Sequence, residues 1–205
     1  QLSFVEMIQN LLKVDDESFG LYAFSRDLLK DRIPEDKKSE LIQKAMTCGR
    51  EYARQIIREC ASTDAHTIAE KLKLKIVTKD ANLTGKRILF ACYTPPDEIV
   101  IMKEPVLQAV QMISKKESIL IDLFDKDSIM NTILGHEIFH YIEDQFEQEI
   151  YTRTEKILLW KFLGFKNSST IRALGEIGAM AFTKELNGLT YSPFILDVQI
   201  GRAHV

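Results

Sequence analysis

At 205 residues the chain can bury a sizeable core in one domain, or in one domain with a small helical appendage. Its 45% hydrophobic and 28% charged residues are ordinary for a soluble globular protein, and a net charge of −3 offers no electrostatic footprint for nucleic acid or an anionic membrane surface. No apolar run is long enough to cross a bilayer and Gln1-Leu2-Ser3-Phe4 lacks a basic-then-apolar secretion pattern, so a cytoplasmic protein with neither nucleic acid nor membrane as partner is expected.

In chain order, helices come first. Residues 2–14 and 19–29 have amphipathic helical spacing, and Pro34 opens a longer pattern, because proline suits the first helical turn. Leu41, Ile42, Ala45, Tyr52, Ile56 and Ile57 continue it. Ser62-Thr63-Asp64 offers an N-cap for a short helix over residues 65–72. Leu74-Lys75-Ile76-Val77-Thr78 then alternates with period two, residues 87–93 do so in part, and Glu98-Ile99-Val100-Ile101-Met102 is a third short apolar run. With turns at residues 82–85 and 94–97, these predict a small antiparallel or mixed sheet. Residues 104–116 read as an intervening helix and 119–124 as one more strand. Cys48, Cys60 and Cys92 are odd in number and lack CxxC spacing, which argues for reduced thiols and against a disulfide framework or thiolate metal site.

Asp127 is a candidate N-cap for a helix reaching about residue 148. Its apolar residues (Ile129, Met130, Ile133, Leu134, Ile138, Phe139, Ile142, Phe146) surround most of its circumference, which predicts a buried helix. A second helix over residues 152–165 would place the only tryptophan, Trp160, in the core. Ser168 and Ser169 are candidate caps for a third, which stops at Asn187-Gly188. The tail suggests a strand at residues 194–198.

The buried helix carries His136-Glu137-Ile138-Phe139-His140. Histidines four apart stand one turn apart on one face, so both imidazoles can reach a single ion, with a carboxylate beside them to take a proton from water. That set is the minimum of a zinc hydrolase, although two imidazoles and a carboxylate also suit other divalent metals. Asp144 is too far along the axis, about 12 Å from His136, to be a third ligand. It is a candidate acceptor for the second nitrogen of His140, or a solvated charge. The third ligand must come from another segment. Glu176 stands out, because Ala173, Gly175, Gly178 and Ala179 around it would let its helix approach closely. Glu155 is the second choice, and Glu147 and Glu149 extend the wrong way. His66 and His204 read as surface or terminal residues. Tyr141 points away from the histidine face, whereas Tyr151 and Tyr191 are candidates to reach in from loops as oxyanion donors.

With these residues the chain resembles the ImmA/IrrE family of zinc metallopeptidases. The likeness rests on Leu134-Gly135-His136-Glu137-Ile138-Phe139-His140-Tyr141 and on Glu176-Ile177-Gly178-Ala179-Met180-Ala181-Phe182-Thr183-Lys184-Glu185-Leu186, and it spans about residues 45–195. The chain departs from the family in the extra helix at 104–116, in Ala179-Met180 where an Ala-Asn pair is usual, and in lacking a Leu-Leu-x-Pro ending. The resemblance implies an α+β fold: a mostly helical zincin-like domain with a small sheet before the metal-binding helix. It would cover residues 45–205, with residues 1–44 as a helical appendage. It also implies zinc held by His136, His140 and Glu176, with Glu137 as general base in cleaving a peptide bond of a protein or peptide. Partners in the family are often repressor-type transcription regulators. The alternative is a zinc-containing regulatory or binding module of the same fold with latent or no peptidase activity.

Overall fold

The computed structural model describes residues 4–80, 90–114 and 124–202. Two short helices, α1 (Phe4–Leu11) and α2 (Asp16–Ser25), precede a 3-10 turn, Lys30–Arg32. The long helix α3 (Glu35–Cys60) starts directly after Pro34, and Ile42, Ala45, Met46, Gly49, Ala53 and Ile56 form its buried stripe. α4 (Ala65–Lys71) begins where the sequence places it, with Asp64 accepting the Thr67 amide at 2.7 Å. The sheet is mixed: β1 (Lys75–Lys79) runs parallel to β3 (Glu98–Met102), and β2 (Ala91–Thr94) pairs antiparallel on the other side of β3, giving the order β1-β3-β2. α5 (Lys103–Ser114) leads toward α6 (Lys126–Gln145), which carries the histidine pair. A short helix α7 (Tyr151–Thr154), a hairpin of β4 (Lys156–Phe162) and β5 (Phe165–Thr170), then α8 (Arg172–Asn187) and α9 (Phe194–Arg202) complete the chain. This is an α+β fold, mostly helical, as expected. The turn at residues 82–85, the strand at 119–124 except for Phe124, and His204 lie outside the described residues.

Several expectations are corrected. Residues 152–165 do not form a helix. After α7 the chain becomes extended and turns back through Leu163 and Gly164, both at positive φ (45° and 88°), so that Phe162 faces Phe165. An apolar run this short reads equally well as helix or strand, and the two-residue turn decides between them. Trp160 is consequently half exposed instead of core. Ser168 and Ser169 lie in β5, and α8 is capped from elsewhere: the buried Asp27 accepts the Ala173 amide at 2.8 Å through one carboxylate oxygen and the Leu29 amide at 2.7 Å through the other. The tail is helix α9, not a strand, because Ser192-Pro193 is a helix-start signal and Ser192 Oγ accepts the Phe194 amide. The cap of α6 is Asp125, which accepts the Ser128 amide at 2.6 Å, two residues before the expected position.

Residue 44, where the sequence suggests a division, lies inside α3. Buried residues before it (Ile8, Phe19, Phe24) and after it belong to one apolar cluster, and Phe19 stacks on Phe194 of α9 with ring centroids 5.8 Å apart. The tightest packing is a triple crossing at Gly178. A Cβ on Gly178 would stand 2.7 Å from Phe139 Cζ of α6, and a Cβ on Gly49 of α3 would stand 2.2 Å from the Gly178 carbonyl oxygen. A backbone atom cannot step aside as a side chain can. Gly49→Ala is therefore expected to cost about 3 kcal/mol of stability. A lowered urea midpoint with an unchanged denaturant slope would show it.

Candidate metal centre

α6 presents His136 and His140 one turn apart, with their rings edge to face and their Nε2 atoms 3.0 Å apart. α8 brings Glu176 to the same point: one carboxylate oxygen lies 3.3 Å from His136 Nε2 and the other 3.7 Å from His140 Nε2. A tetrahedral ion with arms of about 2.0–2.1 Å needs ligand atoms about 3.3–3.4 Å apart, and these separations bracket that value. The three residues could therefore hold one divalent ion. Gly178, two residues past Glu176, lets α8 lie close enough for the carboxylate to arrive, as the small residues suggest.

The charges fit the same use. Burial works against a charged imidazole at His136, but the neighbouring Glu176, helped by Glu137 and Asp197, outweighs it and holds His136 up at about 9. Burial likewise opposes a charged carboxylate at Glu176, but His136, with His140 and Arg172, holds it down to about 2. Glu176 thus stays an anion across the physiological range, and without an ion His136 carries the matching charge.

Behind His140 lies a feature the sequence did not disclose. Glu143, only 2% exposed, accepts the Nδ1–H of His140 at 2.8 Å and a hydrogen bond from the Thr152 hydroxyl. This fixes the tautomer that leaves the Nε2 lone pair facing Glu176. A Cβ on Gly175 would come within 3.0 Å of the Glu143 carboxylate, so this glycine makes room for it. Glu143 follows His140 by three residues and points into the core. Asp144, the expected acceptor, follows by four and lies at the exposed end. It stands 3.0 Å from the Tyr93 hydroxyl instead.

Glu137 is buried beside the pair, and its Oε2 accepts the Tyr93 amide of β2 at 2.7 Å. The Tyr93 ring meets Tyr141 edge on, and burial, then Asp144, pushes its hydroxyl above the usual tyrosine range, so it remains a donor. Arg26, which follows α2 directly, bridges Tyr22 (2.9 Å) and Asp197 of α9 (3.0 Å). Burial raises the Asp197 carboxyl, against the pull of Arg26 and His136. The other candidates lie elsewhere. Glu155 ends α7, Glu147 and Glu149 are exposed, and so is His66. Tyr151 lines a cleft with Cys48 and Tyr52, and Tyr191 packs on Phe124. Burial pushes the Cys48 thiol up to about 11, which leaves no thiolate there.

No protein-family model, curated protein or solved structure matches the chain. Among the described residues no helix is long and apolar enough to cross a membrane.

Two outcomes follow from the geometry and charge. Glu143→Gln is expected to weaken zinc binding about 10- to 100-fold, measured by competition with a chelating dye, because His140 loses its anionic acceptor. The raised His136 value favours the charged form below about 9, and the ion needs the neutral ring. In the metal-free protein this contribution to stability is complete below about pH 6.5 and is lost as pH rises through about 9. Zinc affinity should accordingly rise with pH up to about 9. Calorimetry in buffers of different ionisation heat should detect about one proton released per zinc near neutral pH.

Proposed function

We propose that the chain is a zinc-dependent endopeptidase of the ImmA/IrrE kind, in which His136, His140 and Glu176 hold the ion and Glu137 is the general base. The observation that carries this reading is the convergence of two imidazoles and one carboxylate from separate helices, with a second carboxylate adjoining them but outside the ligand set. The ion would supply a water of lowered pKa and polarise the scissile carbonyl.

The protein's own groups supply the rest. Glu143 fixes the ring of His140, so the ligand set is built before substrate arrives. Glu137 is steered by a single backbone donor on one oxygen, which leaves the other to receive a proton from water and return it to the departing amine. Among the described residues β2 is an outer strand of the sheet, and it runs beside α6. The bond from the Met102 amide to the Phe90 carbonyl places Phe90, Cys92 and Thr94 on the bonded side of the β2–β3 ladder. Ala91 and Tyr93 then turn their backbone groups outward, with the Tyr93 amide held by Glu137; an extended peptide that pairs with the groups of Ala91 would pass beside the candidate base. That course favours a peptide substrate over a small molecule. The partner we favour is a protein in the cytoplasm, a repressor-type regulator by the resemblance.

Glu137→Gln tests the reading. Peptide hydrolysis should fall by about 10²–10⁴-fold while elemental analysis still finds zinc bound. A variant that binds zinc and keeps the biological role of the parent would favour the binding-module alternative. Wild-type protein that takes up no zinc when it is supplied would end both readings.

A further inference from the structure

The hairpin of β4 and β5 is built from two opposed faces. Its register pairs Phe162 with Phe165, Lys161 with Lys166, Trp160 with Asn167, Leu158 with Ser168 and Lys156 with Thr170, with an irregularity between Leu158 and Trp160. Directly paired residues share a face and neighbouring pairs alternate. Trp160, Phe162 and Phe165 therefore stand on one side, and Lys156, Lys161 and Lys166 on the other with Leu158. Trp160 is 52% exposed, Phe162 67%, Phe165 73% and the turn residue Leu163 81%. Apolar groups this large and this open at the end of an arm mark a contact surface.

Composition tells which kind of contact. Residues 156–170 hold three lysines and no acid, in a chain whose net charge is −3. Protein interfaces are depleted in lysine. Tryptophan and other large apolar groups with lysines flanking them are characteristic of the boundary between lipid headgroups and acyl chains, where rings sink in and long stems carry their charge back to phosphate. The apolar groups sit at the tip, as they must to enter a soft layer. The overall charge of the chain conceals this local positive arm.

We infer that the β4–β5 hairpin docks the protein on an anionic lipid surface, with Trp160, Phe162, Leu163 and Phe165 entering the interface and Lys156, Lys161 and Lys166 facing the headgroups. This inference is independent of the peptidase reading, because none of these residues belongs to the ligand set.

Trp160 is the only tryptophan, so its fluorescence reports on the arm alone. With vesicles of phosphatidylcholine mixed with phosphatidylglycerol, its emission should shift to the blue and the full chain should float with the vesicles. Pure phosphatidylcholine vesicles should bind far more weakly. Replacing Lys156, Lys161 and Lys166 by Ser should weaken partitioning about 100-fold. The pair Phe162→Ser and Phe165→Ser should abolish flotation, with an unchanged far-ultraviolet circular dichroism spectrum and urea midpoint as the check on folding. Absence of both the shift and flotation at low salt would overturn the inference, as would binding that the lysine replacements leave unchanged. So would a dimer in sedimentation that the two Phe replacements dissolve, with vesicles without effect, since that result assigns the arm to a second copy.

Discussion

The candidate centre depends on how closely two helices can lie. His136 and His140 come from α6 and Glu176 from α8, so the three ligands meet only where these two helices pack side by side. Gly178 removes the obstacle on the α6 side, where Phe139 occupies the space of its missing Cβ. Gly49 does the same from α3, against the carbonyl oxygen of Gly178. Three backbones meet at one crossing, and the ligand set forms next to it. Helix-interior glycines weaken a helix by roughly 1 kcal/mol each relative to alanine, a cost that packing at this crossing must offset.

Behind the ligands, one buried carboxylate ties the centre to the core. Glu143 is held by His140 and Thr152, with Arg153 3.7 Å away and Gly175 leaving it space. A buried anion is stable only when its oxygens are met by donors, and here the donors arrive from α6 itself and from α7. The ring of His140 therefore has little freedom. The geometry for an ion is prepared in advance, and binding loses less to the ordering of side chains.

Much of this was legible because it is local. The His136/His140 spacing declares a shared face, the all-round apolar pattern of α6 declares its burial, and small residues around Glu176 declare a close approach. What escaped depends on contacts distant in sequence or on a local tie. Glu143 looks no different from Asp144 until α8 and α7 are seen to surround it. The cap of α8 comes from Asp27, 146 residues away, so Ser168 and Ser169 offered a plausible local substitute. Residues 156–162 carry an apolar run that either period accommodates, and the turn at Leu163-Gly164 settles the matter only when weighed against it. For Trp160 only residue type points to the core, and residue type is a weaker signal than periodicity or capping.

The reach of Asp27 has a structural meaning of its own. One carboxylate holds the loop after α2 with one oxygen and the first turn of α8 with the other, and Glu176 lies in the second turn. On the opposite side, Arg26 grips Asp197. Adjacent residues near the start of the chain thus clasp both helices that follow the hairpin. The opening segment braces the seat of Glu176, and without Asp27 the first turn of α8 would need another acceptor.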